Sequence, residues 1–226
     1  MIIDDRNRSL EEQVYYKLEE DILCGAYQKG DVITESAVAR KLGVSRTPAR
    51  SAMHKLAEDG LIELVPNKGA LVIGITAEDL VDTYRIRMRL EGLASFMATG
   101  RLTDEDVKVL TDSIDLADFY IKRGDIEKIK ELNNDFHVTI CRASGNRLLT
   151  RILTELHRNI RAYRKLSLSV PGRIEKSILE HREILKAMID GDSERADRLT
   201  SLHIERAMKN MISAVAEDEA DGGTEE

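Results

Sequence analysis

The stretch KLGVSRTPAR (Lys41–Arg50) lies between two helical patterns, and its residue types decide how the chain is read. A glycine takes the positive φ that a helix end needs, so Gly43 is predicted to close a short helix over ESAVARKL. Ser45 is predicted to cap the next helix, RTPARSAMHKLAEDG, by satisfying its free amides. Pro48 is tolerated in that helix's first turn, and Gly60 stands just past its end. Arg46 and Arg50 are four apart and share one helical face. From Arg40 to Lys55 there are several Lys and Arg but no Asp or Glu, within a chain of formal net charge −7. Overall acidity excludes a wholly basic nucleic-acid binder and leaves room for one local basic face.

Working outward, Ser9 is placed to cap a helix over LEEQVYYKLEEDILCG, with Val14, Leu18, Ile22 and Leu23 as its apolar stripe. Thr34 caps the ESAVARKL helix. Val44, Ala49, Ala52, Met53 and Leu56 can face the first two helices. LIELV and ALVIGI are short β-rich runs split by PNKG, which predicts a small hairpin. Three helices followed by a hairpin is the order of a winged helix-turn-helix. Such a fold inserts the N-terminal end of its third helix into the major groove. Ser45, Arg46, Thr47 and Arg50 supply donors there, and arginine reads guanine through two hydrogen bonds. Asn67, Lys68 and backbone amides at the hairpin tip suit a minor groove or a phosphate. The plainer alternative is a three-helix subdomain with a solvated basic face, on which His54 is an ordinary surface or groove-edge residue.

Everything after Thr76 is predicted to be helical. Thr76–Asp79 and Thr103–Asp106 are capping-box-like starts. Gly100, Gly124, Gly145, Pro171–Gly172 and Gly191 punctuate about six helices, as in an antiparallel bundle. The expected organisation is a head over 1–75, a helical domain over 76–216 and an acidic disordered tail over 217–226. Asn133, His137 and Cys141 follow one another on a helical face. His181 and His203 flank Gly191 at similar distances, so a hairpin at DGDS puts both at a depth of roughly 15 Å. They can then converge with His137. Three neutral imidazoles with an oxygen ligand suit a divalent transition metal such as zinc or nickel. The alternative is that each His is separately a surface or core residue. His157 falls outside the pattern, and Cys141 reads as a small core residue. Arg87 points inward on the stripe Leu80, Tyr84, Arg87, Glu91, Ala94. It can hold a carboxylate through a fork of two hydrogen bonds, or pair with Glu91 at i,i+4; the residues alone leave both open.

The run GVSRTPARSAMHKLAEDGLIELVPNKGALV, with EDILCGAYQKGDVITESAVARKL before it, resembles the DNA-binding domain of GntR-type bacterial transcription regulators. That resemblance implies DNA contacts from Ser45, Arg46, Thr47 and Arg50, with Gly69 in the wing. Some relatives carry an arginine where this chain has Ser36, which can give only a phosphate-type hydrogen bond. RIRMRLEG, FHVTICRASGN, EHREILKAMIDGD and ADRLTSLHIERA resemble the helical ligand-binding domain, FCD, of the FadR-like branch. That resemblance implies a metal on one Asp and three His, at the positions of Asn133, His137, His181 and His203. It also implies Arg87 as the carboxylate-binding arginine. Zinc is the first expectation for the metal, with nickel or manganese also accommodated.

The expected protein is therefore a ligand-responsive repressor rather than an enzyme. It is a homodimer on a near-palindromic operator in double-stranded DNA, sensing a small carboxylate. The N-terminal residues turn polar at once, no apolar span is long enough for a membrane, and Cys24 and Cys141 form no CxxC. These features point to the cytoplasm. Two alternatives remain at this level. Three His with open coordination sites permit a metal-dependent hydrolase carrying a DNA-binding head, although no convincing general base stands near them. The helices could also serve only for dimerisation.

Overall fold

A computed structural model describes residues 9–23, 25–66, 68–160 and 172–221. Cys24, Asn67, Pro171 and residues 222–226 of the acidic tail lie outside that set. The chain divides into two compact units, Met1–Thr76 and Ala77–Glu226.

In the first unit, helix α1 (Leu10–Leu23) starts at a reciprocal cap. The Glu12 amide donates to Ser9 Oγ at 3.2 Å, and the Ser9 amide donates to Glu12 Oε2 at 2.9 Å. Helix α2 (Glu35–Leu42) is capped by Thr34, whose Oγ1 accepts from the Ala37 amide at 3.2 Å. It ends at Gly43 with φ 68°, the left-handed turn expected of that residue. Helix α3 (Arg46–Glu58) buries Ala49, Ala52, Met53 and Leu56. These side chains join Val14, Leu18 and Ile22 of α1 and Val38 and Leu42 of α2 in one apolar cluster. Each large aliphatic side chain removed from water there contributes about 1.5–3 kcal/mol.

Ser45 departs from expectation. It occupies the N-cap of α3 with extended backbone, but its side chain makes no capping hydrogen bond. The expected hairpin, β2 (Ile62–Val65) and β3 (Gly69–Val72), is part of a larger sheet. A two-residue strand, β1 (Val32–Ile33), pairs with the other edge of β3, giving the order β1-β3-β2, antiparallel throughout. Gly69 is fixed by this third strand. Its φ is +107°, and a Cβ there would stand 2.3 Å from the Ile33 carbonyl oxygen.

The described residues of the second unit form six helices: α4 (Ala77–Ala98), α5 (Asp104–Ile121), α6 (Ile126–Ala143), α7 (Arg147–Asn159), α8 (Arg173–Ile189) and α9 (Ser193–Asp221). The capping box at the start of α5 is present, with Thr103 and Asp106 each accepting the other's amide. Helix α4 packs on α9 and also touches α6, α7 and α8, while α5 packs on α6 and α8. Small polar residues set the approach of α4 to α9. Ser95 and Thr200 hydrogen-bond at 2.7 Å, and Ser201 Oγ donates to the Met88 carbonyl at 3.0 Å. Leu110, Ile114, Phe136, Ile140, Leu149, Leu153, Ile184 and Met188 fill the core. Helix α9 continues to Asp221, five residues into the stretch expected to be a disordered tail. Alanine and glutamate are good helix formers, so a helix entering that stretch has no residue to stop it before Gly222. Among the described residues, no helix is long and apolar enough to cross a membrane.

Candidate functional site

The outer face of the first unit gathers most of the expected DNA-contacting residues. Ser45, Arg46, Thr47 and Arg50 are exposed at the start of α3, and Ser36 and Lys68 are exposed beside them. Ser36, Arg46, His54, Lys68 and Gly69 line one groove between α3 and the hairpin. Ser36 Oγ lies 3.3 Å from Thr34 Oγ1. The basic stretch is not free of acid in space. Glu35, the first residue of α2, meets Arg50 in a two-bond fork, Nε to Oε1 at 2.8 Å and Nη2 to Oε2 at 3.0 Å. The bond from Arg50 holds the Glu35 carboxyl below its ordinary range, with Arg46 adding to the effect. Glu35 lies 15 residues before Arg50, and no local spacing could have revealed the pair.

In the second unit, His137 of α6, His181 of α8 and His203 of α9 converge. All three are buried, and one nitrogen of each lies within 4.8 Å of the others. The His181 and His203 Nε2 atoms are 3.3 Å apart. Phe136 stacks on the His181 ring at 4.0 Å between centroids, which fixes its plane. Burial lowers His137 and His203 to about 4 and takes His181 well below the ordinary imidazole value. All three are therefore neutral at neutral pH, the form that ligates a metal.

Two carboxylates orient these rings from behind. Glu91 of α4, 2% exposed, takes His137 Nδ1 on Oε2 at 2.7 Å. Glu180 of α8 takes His203 Nδ1 on Oε2 at 2.6 Å. Each contact puts the ring proton on Nδ1 and leaves the Nε2 lone pair for a ligand, the arrangement that ligating histidines use. Burial raises the Glu91 carboxyl, but Arg87 with His137 and His157 holds it well below the ordinary range. Burial likewise opposes ionisation of Glu180, and the His203 bond and Arg173 bring it down to about 2. The donor set, three neutral imidazoles with two of them backed by ionised carboxylates, fits a divalent transition metal.

Arg87 has taken the i,i+4 pairing. Its Nε and Nη2 meet Glu91 Oε1 at 2.8 and 2.6 Å, with both side chains 3% exposed. His157 of α7 also reaches that oxygen, at 2.9 Å. His157 is thus part of the constellation, contrary to the sequence pattern, because its partner lies 66 residues away on another helix. Glu180 adjoins His181 in sequence, and that adjacency was the one available signal for it. Asn133 is half-buried on α6, one turn before His137. Cys141 is buried in the core, and burial raises its thiol above the ordinary range.

Residues 10–72 match the family described as bacterial regulatory proteins, gntR family, and residues 82–206 match the FCD domain. The chain is 30% identical over 207 residues to the HTH-type transcriptional regulator YdhC of Bacillus subtilis, covering 91% of this chain and 92% of that protein. It is 24% identical over 215 residues to the HTH-type transcriptional repressor RspR of Escherichia coli, covering 95% and 94%. Among solved structures, E. coli McbR/YncC superposes with a TM-score of 0.72 at 23% identity, covering 90% of this chain and 97% of the other.

Proposed function

The chain belongs to the gntR family of bacterial regulatory proteins and carries an FCD domain, so it is a transcription regulator, and we propose that it is a metal-containing repressor released by a small carboxylate. In this reading a homodimer holds a near-palindromic operator. Ser45, Arg46, Thr47 and Arg50 enter the major groove, and Ser36, Lys68 and Gly69 meet the backbone. The exposed tip of α3, with Arg46 and Arg50 and no acidic residue in its first turn, supports this. His137, His181 and His203 hold a divalent transition metal, zinc first, with the Asn133 amide oxygen as a weaker fourth ligand. The observation that carries the sensing half is the carboxylate-backed convergence of three buried neutral imidazoles. Coordination positions left open by these ligands suit an anionic oxygen ligand. An acid that reaches Arg87 must displace Glu91 from it. A relative named as a transcriptional repressor supports the sign of regulation.

The test is fluorescence anisotropy of zinc-loaded protein on DNA from upstream of its own coding region. The expected result is specific binding, weakened as citrate or another simple carboxylate is added. Specific binding that no carboxylate in a broad panel changes contradicts the sensing half. Absence of specific binding contradicts the reading of the head.

A further inference from the structure

Two buried arginines border the histidine cluster, and their guanidinium forks differ. The Arg87 fork, Nε with Nη2, is filled by Glu91. Arg173 is the first residue of α8 and is 4% exposed. Its Nη1 donates to Glu180 Oε2 at 2.8 Å. Its Nη2 lies 3.4 Å from His203 Nδ1, a nitrogen already 2.6 Å from Glu180. With its proton directed at Glu180, that nitrogen has no lone pair for Nη2. The Arg173 Nε has no hydrogen-bond partner among the described residues. The Nε–H and one Nη2–H of a guanidinium point the same way. Arg173 therefore carries a buried double donor without an acceptor, beside a ring of the proposed metal centre.

Buried arginine cannot shed its charge, and a buried donor left unmade is costly. The spacing of the two donors matches the two oxygens of a carboxylate. The surroundings favour an anion as well. Gly172, the N-cap of α8, has no side chain to cap the amides of that first turn, and Glu175 is the acidic residue in that turn. An acid at Arg87 must replace Glu91, which also orients His137 and meets His157. An acid at the Arg173 fork displaces no carboxylate; the contact it replaces is the 3.4 Å approach of Nη2 to His203 Nδ1.

We infer that Arg173, through Nε–H and Nη2–H, is the arginine that takes the carboxylate of the effector, an organic acid bound beside His203. This rests on the ligand-sensing reading above and moves its anion contact from α4 to the start of α8. The test uses full-length zinc-loaded protein with acetate, succinate and citrate as probes, read by calorimetry and by metal content. An acid that binds the wild type should bind Arg173→Lys about tenfold or more weakly, because lysine keeps the charge and loses the fork. Equal affinity in Arg173→Lys with full zinc content overturns the assignment while leaving the sensing reading intact. If Arg173→Lys loses zinc or does not fold, wild-type crystals soaked in the same acid decide. Carboxylate oxygens within hydrogen-bond reach of Arg173 Nε and Nη2 support the inference, and a carboxylate bound elsewhere overturns it. Failure of every acid to bind the wild type defeats the sensing reading itself, and this inference with it.

Discussion

Glu91 is the residue on which the interior of the helical unit turns, because one buried carboxylate meets Arg87, His137 and His157 together. Replacing it by glutamine keeps the shape and removes the charge that Arg87 needs. Breaking a buried pair from one side costs about 3–5 kcal/mol, so Glu91→Gln should lower unfolding stability by that order in urea titrations. A loss below about 1 kcal/mol would mean that Arg87 finds another partner. Glu35 makes the opposite prediction, since its pair with Arg50 is exposed and such pairs contribute little to stability. Glu35→Gln should leave the melting temperature unchanged and tighten binding to random-sequence DNA, by removing a negative charge beside the phosphates. At this scale the sequence revealed pairs along one helix and missed pairs across helices. Arg87–Glu91 was open to the i,i+4 rule. Arg50–Glu35 and His157–Glu91 depend on how helices cross, which no spacing within one helix encodes.

At the scale of elements, caps and periodicity carried most of the reading. Ser9, Thr34 and Thr103 cap where their side chains suggest, and the apolar faces of α1 and α3 are the ones buried. Strand β1 was beyond reach, because two residues form no alternating pattern and the pairing is made by β3. That pairing gives Gly69 a structural role beside its proposed place in the wing. Gly69→Ala should disrupt the β1–β3 edge, lower the melting temperature of the head and weaken operator binding, while metal binding by the helical unit stays intact. A variant with unchanged melting temperature would show that the sheet relaxes around a Cβ. For DNA reading itself, Arg46→Ala should cost about 1–3 kcal/mol against a specific site, measured by anisotropy at fixed salt. Unchanged affinity would remove the tip of α3 from the interface.

For the whole molecule, the chain divides into two compact units between Thr76 and Ala77, where the sequence pattern switches to helices throughout. The convergence of His137, His181 and His203 was legible, because the α8–α9 turn at Gly191 places two of them at equal depth. The carboxylates that orient the rings were not, since each is set by packing among helices. The central claim is that these three rings are a metal centre, and cobalt(II) titration of metal-free protein, followed by visible absorption, tests it most directly. His181 is the ring to replace, because its hydrogen-bond partner among the described residues is His203 and its loss strands no carboxylate. The account predicts saturation at one ion per chain with ligand-field bands, and loss of both in His181→Ala at unchanged helicity. Identical binding curves for the wild type and His181→Ala would contradict it.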